Sequence, residues 1–385
     1  MELEIYHYSL CVSLTLLIFF SYRFIFGKLP KKESYRPYRQ SRMFMGVAML
    51  ILSANYMVHL FVTPRLTSST LAILINLCTY WIAVIMFGSG LMMLLDRKHL
   101  TKDRFLQHMA GWVAYCLLTF LLCCYVPEGL FRKVTPFILA ILFIIYAVKI
   151  ARRVFITFRK AKRKLDDYYS EDSEAYIRWM SVFTYWAIIF GVGQGVFTFV
   201  PNKYVFVWII SAIPFYIYLY TSYANYFLFY ENVEGALANE DSNEYANVAA
   251  DSGVREDKPS DNQERPAIGM AKVQETILER QLKKWTDEKK FTAGGITIAD
   301  VARETGSNRT YISSFINRRY GITFREWING MRLEYAKELM GKNPDMPVGE
   351  VARRAGYLSM SYFSKTFKEA EGVSPGKWND APARS

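Results

Sequence analysis

Seven apolar runs fill the first 230 positions, at about 5–26, 43–63, 71–95, 106–125, 134–151, 180–200 and 204–230. Each is close to the ~20 residues that a helix needs to cross a bilayer core. Beyond position 270 the pattern changes to short amphipathic stretches in which apolar residues recur at helical spacing, the signature of helices with one buried face. Between the two, residues 231–270 lack apolar periodicity altogether. The predicted fold class is all-α, with a seven-helix transmembrane bundle over 1–230, an acidic disordered linker over 231–270 and a soluble helical domain over 271–385.

The soluble part contains a duplication. Ile298-Ala299-Asp300-Val301-Ala302-Arg303-Glu304-Thr305-Gly306 reappears as Val348-Gly349-Glu350-Val351-Ala352-Arg353-Arg354-Ala355-Gly356, and Tyr311-Ile312-Ser313 as Tyr362-Phe363-Ser364. In each copy a small residue (Ala302, Ala352) lets two helices approach, and four positions later a glycine (Gly306, Gly356) suits a tight turn between them. The offset grows from 50 to 51 residues just past that glycine, so the extra residue falls in the turn. Asn308 and Ser359 then stand where an N-cap is wanted.

Each second helix sorts its side chains by period. Ile312, Phe315 and Ile316, or Phe363 and Phe367, form an inward face. Thr310, Ser313, Ser314 and Asn317, or Ser361, Ser364, Lys365 and Lys368, form an outward polar stripe, with Arg309 and Met360 at the N-terminal ends. A polar stripe is what any surface helix presents. Duplicated and preceded by a helix-turn signature, it predicts a pair of helix-turn-helix units that read the major groove, and these ten residues are the candidate DNA contacts.

Charge refines the picture. The odd-numbered connections between apolar runs hold 18 basic residues and the even ones 4, which places the odd loops in the cytoplasm, the N-terminus outside and the C-terminal domain in the cytoplasm. Residues 231–270 carry ten acidic residues against Arg255, Lys258 and Arg265, whereas 271–385 carry net +6 within a chain of net +12. So acidic and apolar-poor a segment cannot offset its chain entropy by burial, hence the expectation of disorder. As a flexible tether of that length it would span about 35 Å root-mean-square, too loose for a rigid push. Signal would then travel by bringing two chains together or by cleavage of the tether. Glu2 and Glu4 stand where a signal peptide would be basic, so the first run is read as a span.

Catalytic or metal chemistry finds little support. Cys11, Cys78, Cys116, Cys123 and Cys124 all lie in apolar runs without metal-ligand spacing and read as buried free thiols. No cofactor is expected. Strongly polar residues deep in the spans are few, chiefly Asn55, His59, Asn76 and Gln194. Such groups are either inter-helix glue or the lining of a membrane pocket.

Residues of about 271–380 resemble the DNA-binding domain of the AraC/XylS family of bacterial transcription regulators. The resemblance rests on the inter-repeat helix Phe324-Arg325-Glu326-Trp327-Ile328-Asn329-Gly330-Met331-Arg332-Leu333-Glu334-Tyr335-Ala336 and on the second-copy set Gly356-Tyr357, Ser361-Tyr362-Phe363-Ser364, Phe367-Lys368 and Gly372-Val373-Ser374-Pro375 with Trp378. It implies two helix-turn-helix units joined by one long helix, set into successive major grooves. One departure is the first recognition helix, whose Thr310, Ser313 and Ser314 are short, so its base readout is expected to be weak or water-mediated. Family members usually carry a soluble ligand-binding domain, and here apolar runs take its place.

The combined expectation is a membrane-tethered, non-enzymatic, one-component transcription regulator, multi-pass in a bacterial inner membrane. Its expected partners are double-stranded promoter DNA, the lipid bilayer, a second copy on DNA, RNA polymerase and a small-molecule or membrane signal of unknown identity. The competing reading is a seven-helix transporter or intramembrane enzyme with a regulatory basic tail. An enzyme would need convergent acid, base or nucleophile groups at membrane depth, and a transporter interrupted helices or an internal repeat.

Overall fold

The computed structural model describes residues 2–96, 101–125, 130–172, 174–197, 199, 204–231, 233–237 and 264–379. Those residues are helical, with no strand among them and a single isolated bridge pair. They divide into two compact units, residues 1–161 with 176–231, and residues 162–175 with 232–385.

The first unit is built from α1 (Glu2–Phe26), α2 (Arg36–Phe61), α3 (Ser69–Leu95), α4 (Lys102–Tyr125), α5 (Leu130–Asp166, whose last turns belong to the second unit), α6 (Glu174–Phe197) and α7 (Val205–Tyr226). Among the described residues, six helices are long and apolar enough to cross a membrane: α1, α2, α3, α4, α5 and α7. The sixth expected run coincides with α6, part of which lies outside the described residues. The fifth run extends well past position 151. α5 continues for 37 residues to Asp166, so most of the basic positions read as a loop after 151 are helical.

α2 packs along both α1 and α3, and α7 closes against α1. Leu17, Met45, Ala48, Met49 and Leu77 have no exposed surface at that seam. Arg42 is buried too. Its Nε donates to the Phe24 carbonyl at 2.7 Å, and Nη2 to those of Arg23 and Gly27 at 2.6 and 2.9 Å. A charge from the neighbouring helix thereby satisfies carbonyls that the end of α1 leaves open, at the pole of the helix dipole that favours a cation.

On the outside, large apolar side chains stand exposed in rows, among them Val12, Phe19, Leu117, Phe120, Ile141, Ile145 and Ile189. Cys11 is exposed on the same kind of surface, which corrects its reading as a buried thiol. Apolar character predicted burial, but the outer face of this bundle is itself apolar. Cys78 and Cys116 are partly buried, and the side chains of Cys123 and Cys124 lie outside the described residues.

The second unit contains α8 (Glu264–Asp287), α9 (Ile298–Glu304), α10 (Arg309–Tyr320), α11 (Phe324–Lys342), α12 (Val348–Arg354), α13 (Met360–Glu371) and α14 (Pro375–Asn379). It has two cores rather than one. Leu278, Leu282 and Trp285 of α8 join Val301, Ile312, Phe315, Ile316, Phe324 and Ile328. Leu333, Ala336, Leu339 and Met340 join Val351, Ala352, Phe363 and Phe367. α11 contributes its first half to one core and its second half to the other. The helical residues 233–237 and the start of α8 fall inside the range read as linker, whereas 238–263 lie outside the described residues.

Candidate nucleic-acid interface

Each helix-turn-helix pair is set by local chemistry. Thr297 caps α9 in a reciprocal box, with the Asp300 N–H donating to Thr297 Oγ1 at 3.3 Å and the Thr297 N–H to Asp300 Oδ2 at 3.0 Å. Partial burial works against ionisation of Asp300, yet the Thr297 hydroxyl and N–H together with Arg303 hold its carboxyl below the usual range. In the second copy Pro347 precedes α12 and supplies no side-chain cap. There Glu350 turns to Arg353 and Arg354 instead, and their hydrogen bonds lower its pKa to about 2.

The glycines behave as the repeat predicted. Gly306 has φ +62° and Gly356 φ +93°, and the N–H of the next residue reaches back to the helix, Ser307 to the Ala302 carbonyl and Tyr357 to that of Ala352, both at 2.9 Å. Asn308 Oδ1 then accepts from the Tyr311 N–H at 2.7 Å, and Ser359 Oγ from that of Tyr362 at 3.4 Å, so both expected N-caps are in place.

On α10 and α13 the expected inward residues are buried, with Ile312, Ile316, Phe363 and Phe367 fully so. The outward stripes differ between copies. On α13, Met360, Ser361, Lys365 and Lys368 are exposed and Ser364 is half-buried. On α10 only Ser314 is exposed, while Arg309, Thr310, Ser313 and Asn317 are half-buried.

Beside the half-buried Arg309, Thr310 and Asn317 lie residues 163–168. Arg163 Nη2 donates to Asn317 Oδ1 at 3.2 Å, the Arg309 guanidinium lies 5.8 Å from the Tyr168 ring centre, and Arg163 and Asp167 line an open cleft with Thr310, Ser313, Ser314 and Asn317. Sequence reasoning missed this segment, having counted only its basic residues. The legible signal was the acidic cluster Asp166, Asp167, Glu171 and Asp172 inside an otherwise basic connection.

The long helix α11 is anchored on polar groups. Arg332, with no exposed surface, donates from Nε to the Phe291 carbonyl at 2.9 Å, from Nη2 to that of Ala293 at 2.8 Å and from Nη1 to Glu171 Oε1 at 2.9 Å. Asn329 Nδ2 donates to the Tyr362 hydroxyl at 2.7 Å and so ties α11 to α13.

In the first unit three of the four singled-out polar residues come together. Asn76 Oδ1 accepts from Asn55 Nδ2 at 3.1 Å and from His59 Nε2 at 2.8 Å. Because that oxygen can only accept, His59 carries its proton on Nε2, and Nδ1 is left to accept from the Tyr6 hydroxyl at 3.5 Å. The cluster joins α1, α2 and α3. The Gln194 side chain lies outside the described residues. Among the described residues there is no cluster of His, Cys, Asp or Glu able to hold a metal.

Comparison with known proteins bears on the C-terminal region. Residues 301–381 match the model of a helix-turn-helix domain. The HTH-type transcriptional regulator ExsA of Pseudomonas aeruginosa is 32% identical over 80 residues, 21% of this chain and 28% of that protein. A TCP pilus virulence regulatory protein of Vibrio cholerae is 35% identical over 80 residues, 21% of this chain and 28% of that one. The virulence regulon transcriptional activator VirF of Yersinia enterocolitica is 31% identical over 99 residues, 26% of this chain and 35% of that one. The C-terminal domain of AraT, a response regulator from Geobacillus stearothermophilus, is 30% identical and aligns over 28% of this chain and 90% of that chain, with a TM-score of 0.25. This chain therefore spans only about a third or less of the length of those curated regulators, and the family it matches over residues 301–381 is a helix-turn-helix domain.

Proposed function

We propose that the chain is a membrane-tethered transcription regulator that binds promoter DNA through its two helix-turn-helix units under control of a signal sensed in or at the membrane. The observation that carries the reading is the tandem pair itself. Two helices of identical length, each capped by Asn or Ser and preceded by a left-handed glycine, present polar stripes from one small basic domain. Relatives of that domain carry the names of transcription regulators.

Roles divide by side-chain chemistry. Ser361 and Lys365, on the exposed stripe of α13, are suited to base edges, with Ser364 beside them. Lys368 and Arg309, at the stripe ends, are suited to phosphate. On α10 the short Thr310, Ser313, Ser314 and Asn317 suit water-mediated contacts, and Met360 suits apolar contact with a thymine methyl. With the full chain in lipid nanodiscs and a duplex enriched on it from a random pool, Lys365→Ala is expected to cost about 1–3 kcal/mol and relax preference at one base pair. Lys368→Ala is expected to weaken every duplex alike and lower the salt slope by about one. Enrichment of no duplex at low salt would refute the assignment.

The membrane reading is supported by the many exposed Leu, Ile, Val and Phe side chains of the first unit and by its long apolar helices. Seven crossings with the N-terminus outside follow from the loop charges. Reporter fusions after residues 66, 130 and 202 are expected to report outside, and those after 34, 100, 165 and 240 cytoplasm. Two fusions of the wrong sign would overturn the topology. On this reading, the division into a 1–230 sensor, a 231–270 linker and a 271–385 DNA-binding domain is functional, and the linker sets how freely two DNA-binding domains meet. A self-associated pair recruiting RNA polymerase completes the scheme. The Asn55–His59–Asn76 cluster is the part of the bundle best equipped to answer a ligand.

A further inference from the structure

We propose that residues 162–172 are an intramolecular lock, seated on the first helix-turn-helix unit and mutually exclusive with DNA there. The proposal rests on the DNA-binding reading above and adds the partner that competes with DNA.

The seat is built by backbone and side chains together. Ser170 N–H donates to the Ile296 carbonyl at 3.1 Å and Ile298 N–H to that of Tyr168 at 3.0 Å, which sets Tyr169 directly opposite Thr297 in an antiparallel pair. Tyr168 packs on the first core. Arg325 lies 3.0 Å from Asp166 and 3.6 Å from Asp172, and Arg332 lies 2.9 Å from Glu171. Three of the four acidic residues at positions 166–172 thus pair with arginines of the helix that joins the two halves of a domain of net positive charge.

What the lock covers is visible in the duplication. Position for position, Thr310 and Asn317 are half-buried where Ser361 and Lys368 are exposed. A recognition helix enters a major groove about 12 Å wide and 8.5 Å deep, with phosphates on both flanks. The stripe of α10 instead looks into a cleft whose other wall carries Arg163 and Asp167, and Arg163 is already hydrogen-bonded to Asn317 of the stripe. Among the described residues no such wall stands over α13, whose Ser361, Lys365 and Lys368 are exposed.

The contact is also suited to letting go. Its contacts include one bridge pair, the Tyr168 ring, the Arg163–Asn317 hydrogen bond and ion pairs whose acidic members keep 10% to 29% of their side-chain surface. When Glu171 leaves, Arg332 keeps its hydrogen bonds to the Phe291 and Ala293 carbonyls. Because the segment directly continues α5, whatever moves the end of that helix acts on the lock without passing through the acidic linker.

A redox staple tests this. Tyr169 and Thr297 form the non-hydrogen-bonded type of antiparallel pair, whose ~4.5 Å Cα separation suits a disulfide. The Tyr169→Cys/Thr297→Cys chain, in nanodiscs, is oxidised and probed with a duplex enriched on the wild-type chain, with each single variant as control. Oxidation is expected to join 169 to 297, seen by peptide mapping, and to weaken duplex binding about tenfold or more, since apparent affinity falls with the fraction of competent chain. Reductant is expected to restore it. Saturating duplex, added first, is expected to slow the cross-link, because competition is reciprocal. Equal duplex binding in both redox states, or no 169–297 bond, overturns the lock while leaving DNA binding standing. If neither the wild-type nor the reduced chain retains any duplex, the DNA-binding reading falls and the lock with it, even where the bond forms.

Discussion

Replacing Arg332 by Ala is expected to unfold most of the second unit at temperatures the wild-type chain tolerates. Its guanidinium holds two backbone carbonyls and a carboxylate where no water reaches it, and the Tyr357 ring centre lies 5.5 Å away. Removing one partner of a buried ion pair costs about 3–5 kcal/mol, because the other is left without compensation. The orphaned Phe291 and Ala293 carbonyls add the penalty of buried acceptors with nothing to accept. For a domain whose whole stability is of the order of 5–15 kcal/mol, that is a large fraction. Arg332→Lys is expected to recover only part of the loss, since one ammonium cannot reproduce three donations from a planar fork. Hydrogen exchange of residues 271–379 in the full chain reads the outcome. Protection in the Ala variant within about 1 kcal/mol of wild type would show that α11 does not depend on this anchor.

The two turn glycines give the second large effect, and they are expected to differ. At Gly306 an added Cβ meets nothing within 4 Å, so Gly306→Ala incurs only the cost of a left-handed backbone, about 1–2 kcal/mol. At Gly356 the backbone is further into that region, and the Cβ would stand 2.5 Å from the Thr292 carbonyl oxygen. A backbone atom cannot swing aside as a side chain can. Gly356→Ala is therefore expected to cost more than about 3 kcal/mol, the strain and the displacement of the Lys290–Thr292 turn adding together. Urea midpoints of the two variants, followed by the tertiary signal of the second unit, would contradict this if they moved equally.

Much of the second unit was legible because its determinants are local. A glycine four residues after a small helical residue, a cap two or three residues beyond it and an apolar stripe at helical period need only neighbours in sequence, and Gly306, Gly356, Asn308, Ser359, Ile312, Phe363 and Phe367 stand where that grammar puts them. What was not legible depends on partners far away in the chain. Arg332 and Glu171 are 161 residues apart, and nothing local distinguishes Arg332 from an exposed helix arginine. The polar residues of the apolar runs were half legible. Their cost in an apolar setting predicts that they pair, and Asn55, His59 and Asn76 do, but which helices would bring them together is a matter of packing. Cys11 misled for a related reason, because apolarity signals burial only when the surroundings are water.

Since α11 feeds one core with its first half and the other core with its second, it is a gauge as well as a connector. One residue added within it would advance the second helix-turn-helix unit by about 1.5 Å and turn it by about 100° relative to the first. The loops at either end carry no such constraint. Natural variation in this domain should therefore accumulate as insertions in the turns after Glu304 and Arg354, as the unequal repeat offset already illustrates, while the 19-residue count of α11 stays fixed.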